Sequence, residues 1–177
     1  MLTDFRRDLR RNLQDYGDQP TWRRCLLALT LNSVHALALI RVQLWCARHR
    51  LPTLPVSKLL FYLFKIEISR EARLGPGLRL PHPMGIIIGP RVELGEDCDV
   101  YADVRIVLSH GQPEGARIGN HVFLGDGAKI VGRVSIGDHA IIGVSSVVTR
   151  DVPAHATAAG IPAKIIVEHN NRVLEAA

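Results

Sequence analysis

Cysteine is scarce in this chain: Cys25, Cys46 and Cys98 are the only three in 177 residues. They are scattered without metal-ligand spacing, which argues against a zinc site, and they read as reduced residues of a reducing compartment. Aromatic residues make up 5% of the chain. That leaves no aromatic interleaving among the basic residues, and no recognised nucleic-acid-binding motif is present, so nucleic acid is a poor partner. Long apolar runs are missing too. The charge-free stretch from Cys25 to Ile40 has sixteen residues, short of the roughly 18 a spanning helix needs. It starts too late for a signal peptide, and no cleavage site follows it. What remains is an ordinary globular composition, 47% hydrophobic and 22% charged, long enough for one domain and an appendage.

The positive information is a beat of six. Aliphatic residues fall at Leu74, Leu80, Leu94, Val100, Ile106, Ile118, Leu124, Ile130, Ile136, Ile142 and Val148. Two places before each stands a small or branched residue, as at Ala72, Val92, Cys98, Val104, Ala116, Val122, Ala128, Val134, Ala140 and Ser146, with bulkier Leu78 the exception. Gly follows several of them. A helix repeats at about 3.6 residues and a strand at 2, so this period belongs to neither. It is the signature of a parallel β-helix of hexapeptide repeats. Each hexad supplies one short strand and one corner, and three make a triangular coil of roughly 18 residues, stacked at about 4.8 Å. The fold class expected is mainly β: a left-handed parallel β-helix, an exception to the right-handed crossover rule, with a short N-terminal α-helical appendage. An ordinary antiparallel protein with short, Gly-punctuated strands does not keep one phase from Leu94 to Val148.

Two irregularities stand out, and departures from a repeat tend to mark function. From Leu80 to Ile88 the spacing is eight, so Pro81-His82-Pro83-Met84-Gly85 should bulge from the coil wall. Between Ile106 and Ile118 the intermediate inward position is Gln112, a poor core residue without partners. The stretch from His110 to Gly115 is therefore expected to be an extruded loop.

Charge is unevenly placed. The first 50 residues hold nine Arg against four Asp, which accounts for the whole formal net charge of +5. An anionic membrane surface is one explanation and a solvated helix face the other. Residues 4 to about 17 read as a charged helix, and a second helical run is expected from Pro20 to about Arg48 with Thr21 as N-cap. Its uncharged stretch suits a buried helix or one lying in the membrane plane. Leu51 to Pro55 is a connector, and Val56 to about Phe64 forms one more helix. The organisation expected is 1–65 helical appendage, 66–153 β-helix and 154–177 tail.

The stretch from about Glu67 to Ile166 includes "EISREARLGPGLRLPHPMGIIIG", "LGDGAKIVGRVSIGDHAIIGVSSVVTRDVP" and "AAGIPAKII". With these segments, which cover more than half of the chain, it resembles the serine acetyltransferase branch of the hexapeptide acyltransferases. The coil pattern specifies only the superfamily. The His-x-x-Gly-Ile-Ile-Ile-Gly segment and the Ala-Ala-Gly-x-Pro-Ala-Lys ending specify the branch. The shorter N-terminal part looks more like branch members that acetylate exopolysaccharide or capsule. The resemblance implies a homotrimer, without a metal, that transfers acetyl from acetyl-CoA bound in the groove between neighbouring coils. By the family pattern His82 is the catalytic base and Glu67, where the family usually has Asp, orients it. A separation of 15 residues is close to one coil, so the two are expected to be stacked neighbours. His110 opens the loop in which the family carries a second active-site His, and is a further candidate. Gly125, Asp126, Gly143 and Val144 would line the pantetheine slot, with Ala159, Gly160 and Lys164 near the nucleotide end; Asp126 and Val144 replace smaller residues. His121, His139, His155 and His169 receive no role.

These residue types suit the chemistry. A hydroxyl must lose its proton as it attacks a thioester, and an imidazole titrating near 6.5 can take it. A carboxylate on the other ring nitrogen fixes the tautomer, and a backbone N–H serves the oxyanion. The acceptor is harder to read. Serine-using enzymes carry an Asp immediately before the base, to recognise the amino acid; this chain has Pro81 there. Without that carboxylate an ammonium is left unpaired, whereas a sugar hydroxyl needs no such partner. The expectation is therefore O-acetylation of a saccharide precursor of exopolysaccharide, by a cytoplasmic enzyme peripheral to the inner membrane face. L-Serine is the alternative acceptor. A non-catalytic scaffold that binds a partner enzyme is the alternative from another class.

Overall fold

The computed structural model describes residues 1–14, 23, 28–111 and 113–168. Among the described residues, fourteen strands follow the helical region. Sheet one takes β1 (Glu67–Ile68), β3 (Ile87–Ile88), β6 (Arg105–Val107), β9 (Lys129–Val131) and β12 (Val147–Val148). Sheet two takes β2 (Arg73–Leu74), β4 (Glu93–Leu94), β7 (Arg117–Ile118) and β10 (Ser135–Ile136). Sheet three takes β5 (Asp99–Val100), β8 (Phe123–Leu124), β11 (Ile141–Ile142), β13 (Ala156–Gly160) and β14 (Ala163–Glu168). The chain visits the sheets in rotation, every pairing is parallel except β13 with β14, and the result is a three-sided solenoid.

Register explains the beat. Ile68, Ile88, Ile106, Ile130 and Val148 stack in sheet one. Leu74, Leu94, Ile118 and Ile136 stack in sheet two, and a bridge continues the column to Val152. Val100, Leu124, Ile142 and Ala158 stack in sheet three. Like residues meet from one coil to the next, so no side chain wastes volume. All of these except half-buried Leu74 are buried, as are the small residues two places earlier. Each aliphatic side chain taken from water contributes about 1.5–3 kcal/mol.

Both irregularities leave the coil wall. Residues 81–85 form a turn in which the Met84 N–H donates to the His82 carbonyl at 2.8 Å. Residues 108–111 and 113–116 belong to no strand, and β7 pairs directly with β4, so the described residues of the loop between β6 and β7 add no strand to the coil. Gln112 lies outside the described residues.

The helices cover the open end of the solenoid. They are α1 (Leu2–Leu13), α2 (Asn32–Arg48) and α3 (Leu54–Phe64). A first coil has no coil below it, so its backbone groups need other partners. Side chains of α1 and α2 supply them. Asp8 accepts from the Leu78 N–H at 2.9 Å, and Asn12 accepts from the Leu80 N–H at 3.0 Å and donates to the Leu78 carbonyl at 2.9 Å. Arg41 donates to the Leu74 and Gly75 carbonyls, and Gln43 donates to the Ile68 carbonyl.

The helical boundaries differ from expectation. α1 starts earlier and ends at Leu13; residues 15–17 and the expected cap Thr21 lie outside the described residues. The run to Arg48 is not continuous. Residues 28–30 are helical, but Leu31 is extended at φ −84° and ψ 122°, and α2 begins after it. The connector is shorter because a proline is tolerated in the first turn of a helix, which lets α3 absorb Leu54 and Pro55.

The basic excess of this region is partly consumed inside the molecule. Arg7 pairs with Glu96 and Asp97, Arg11 with Asp99, and Arg41 with Asp8. Those three arginines hold the cap to the coils. Among the described residues no helix is long and apolar enough to cross one.

Candidate active site

The turns that join sheet three to sheet one form one edge of the solenoid. Backbone hydrogen bonds lock them in a column: Asp103 N–H to the Met84 carbonyl at 2.9 Å, Gly127 N–H to Ala102 at 2.9 Å, and Ser145 N–H to Asp126 at 2.7 Å. Met84, Ala102, Asp126 and Val144 are thus successive rungs. His82 stands at the foot of this edge, in the bulged turn, exposed between half-buried Pro81 and buried Pro83. Its ring meets Tyr101 edge-on, with centroids 6.2 Å apart and planes at 63°. Tyr101 in turn lies 5.0 Å from Phe123. These two aromatics support the imidazole from the coils above, and sequence reading passed them over because they interrupt no pattern.

The edge gathers the proposed cofactor residues. Gly125, Asp126, Gly143 and Val144 lie on its upper rungs, and Ala159 and Gly160 lie directly above, since the Gly143 N–H donates to the Ala158 carbonyl at 2.9 Å. Lys164 pairs with Ala159 across the β13–β14 hairpin and is exposed. Exposed Met84, Val144 and Ile161 give the edge an apolar strip. An apolar strip with a lysine at its end suits a long thin ligand that carries phosphates at one end. The two glycines also have a purely structural reason. A Cβ at Gly125 would lie 2.8 Å from the Ile142 carbonyl oxygen, and one at Gly143 would lie 2.9 Å from the Ala159 Cβ. Both keep the coils at their stacking distance.

Glu67 is placed differently from the expected stacked pair. Its registered neighbour is Ile87, because the two extra residues of the bulge lengthen that circuit to 20. The Glu67 side chain is exposed and lines a groove of about 550 Å³ beneath α3. Among the described residues no hydrogen bond or ion pair joins it to His82 or to any other group. His110 is exposed on another edge, in the loop from sheet one to sheet two. Within one chain the width of sheet one separates it from the His82 edge.

The histidines that received no role form an ordered ladder on the third edge. His121 and His139 are stacked at 4.6 Å and 5°, and His139 and His155 at 4.8 Å and 10°. All three hold the left-handed backbone of the corner, at φ 55°, 58° and 59°. His169 lies outside the described residues. Cys98 points into the core, where its thiol donates to the Gly119 carbonyl at 3.2 Å.

A parallel solenoid of hexads with an exposed histidine at a bulged turn defines a hexapeptide-repeat transferase, and the family described as "Bacterial transferase hexapeptide (six repeats)" matches residues 115–150. Among curated proteins, the serine acetyltransferase of Synechococcus elongatus is 39% identical over 143 residues, 78% of this chain and 58% of that protein. The serine acetyltransferase of Helicobacter pylori strain J99 is 33% identical over 172 residues, 94% of this chain and 99% of that protein. The chain belongs to the serine acetyltransferase family. It spans little more than half of the Synechococcus protein but nearly all of the Helicobacter one. Among solved structures, serine acetyltransferase of Brucella abortus strain S19 in complex with coenzyme A superposes with a TM-score of 0.83 at 25% identity, over 96% of this chain and 68% of that one.

Proposed function

We propose that this chain is an acetyl-CoA-dependent O-acetyltransferase whose acceptor is the hydroxyl of L-serine. The observation that carries the reading is His82, an exposed imidazole at the foot of an edge that bears an apolar strip and ends at Lys164. His82 takes the hydroxyl proton as the hydroxyl oxygen attacks the thioester carbonyl, and the proton then leaves with the CoA thiolate. Tyr101 holds the ring from its side. Acetyl-CoA supplies the activated acyl group. The apolar strip of Met84, Val144 and Ile161 takes its pantetheine, and Lys164 attracts its phosphates. The solved relative in complex with coenzyme A supports this donor.

Serine displaces the saccharide as first choice because of the relatives' names, above all the one matched over nearly its whole length. Those names also weigh against a non-catalytic scaffold. One observation still favours a saccharide: Pro81 stands immediately before the base. With serine as acceptor, its ammonium requires another carboxylate, and Asp103 and Asp126 are the acidic residues on the His82 edge. The homotrimer belongs to the same reading. A neighbouring protomer would bring its sheet-one loop, with His110, to the His82 edge, from which that loop is separated within one chain by the width of sheet one.

Thiol release from acetyl-CoA, measured with L-serine beside sugar nucleotides and lipid-linked glycans, tests the acceptor. The reading expects serine to be turned over with the highest kcat/KM. Turnover of a glycan with serine inert restores the saccharide reading.

A further inference from the structure

One cavity bordering the helical cap is not on the His82 edge. It has a volume of about 830 Å³ and lies between α2 and the outer face of sheet two, against the first two coils. It shares no residue with the edge described above. Its walls carry Arg41, Arg48, Arg70, Arg73 and Arg91. Three of these are accounted for. Arg41 is held by Asp8, Arg73 reaches Glu93 at 3.3 Å, and Arg91 reaches Glu71 at 3.2 Å and the Pro113 carbonyl at 2.8 Å. Arg48 and Arg70 are different. Among the described residues neither has a hydrogen-bond or ion-pair partner, yet both face the same space.

Arg48 is the last residue of α2, where a cation is favoured by the helix dipole. That explanation is weakened here, because backbone N–H groups already cover the carbonyls. The His49, Arg50 and Leu51 N–H groups donate to Trp45, Ala47 and Cys46 at 3.1, 3.2 and 2.8 Å. Arg70 lies in the turn after β1, outside any helix. The rest of the wall includes the Trp45 ring, Leu44 and Leu74, together with Met1, Asp4, Glu71 and Glu93. Asp4 pairs with the Met1 ammonium, Glu71 with Arg91, and Glu93 with Arg73 and Arg117. Two guanidinium groups without an ion-pair partner among the described residues, in a cavity whose carboxylates are already paired elsewhere and beside an aromatic and aliphatic wall, suit an anion with an apolar body. Guanidinium forks bind phosphate oxygens in pairs.

We infer that this cavity is a second ligand site, separate from acyl transfer, which takes an organic phosphate through Arg48 and Arg70 with its apolar part against Trp45. The phosphate is either a free phosphomonoester or the headgroup of an anionic lipid.

Two probes on the full-length protein separate these sources: calorimetric titration with phenyl phosphate, and flotation with vesicles of phosphatidylcholine and phosphatidic acid. Saturable phenyl phosphate binding at one site per chain is expected, weakened about tenfold or more in the Arg48→Ala/Arg70→Ala variant. The Arg48→Lys/Arg70→Lys variant keeps the charge but loses the fork, and should fall between. Both side chains are exposed, so the fold and thiol release from acetyl-CoA should stay at parent level. Vesicle flotation that depends on the two arginines, without phenyl phosphate binding, assigns the site to a lipid headgroup. Binding of neither probe, or binding that the alanine variant leaves unchanged, overturns the inference.

Discussion

Arg41 grips Asp8 with two donors, Nε at 2.6 Å and Nη2 at 2.8 Å, and both side chains are buried. The pair is tied further to the coil, since Asp8 also accepts from Leu78 and Arg41 also donates to Leu74 and Gly75. It joins α1, α2 and the first coil at one point. Removing one partner leaves the other charged, buried and unpaired. Asp8→Ala should therefore cost about 3–5 kcal/mol, read from the midpoint of urea unfolding. Replacing both, as Asp8→Leu with Arg41→Met, should recover much of that loss. An Asp8→Ala protein within about 0.5 kcal/mol of the parent would mean that the pair does not hold the cap.

Burial pushes the Cys98 thiol up to about 11, from an ordinary 9.0. At pH 8 it is therefore neutral in the folded chain. Iodoacetamide should leave Cys98 unlabelled at that pH and label it after unfolding in urea, as peptide mass spectrometry can show. The sign of the linkage follows. Below pH 9 both states carry the proton and nothing changes. Between about pH 9 and 11 the unfolded thiol ionises while the folded one does not, so stability falls as pH rises, by an amount on the order of 2 kcal/mol. Stoichiometric labelling of Cys98 in the folded protein at pH 8 would contradict this placement.

The contrast between the coils and the cap shows what a sequence can carry. Ile88, Ile106 and Ile130 had to recur in phase, because each stacks on its own kind one coil away. The bulge at His82 was legible for the same reason, as two residues too many. The partnership of Asp8 with Arg41 left no trace, because it joins positions 33 apart through tertiary packing alone. The pairing of Glu67 with His82 came from the family resemblance; counting 15 residues as about one coil made them stacked neighbours, but the bulge that exposes His82 lengthens that circuit and puts Ile87 in register with Glu67. The cofactor edge came from resemblance. Its glycines, read by packing, are there to let the coils touch.

The central claim is that His82 removes the proton from the acceptor hydroxyl. The most direct measurement is steady-state thiol release by His82→Ala with saturating acetyl-CoA and L-serine, alongside the oligomeric state of the same protein by light scattering. The account predicts a kcat lower by about 10²–10⁴-fold, with assembly as in the parent. A His82→Ala enzyme that turns over at the parent rate would remove His82 from the mechanism and contradict the account.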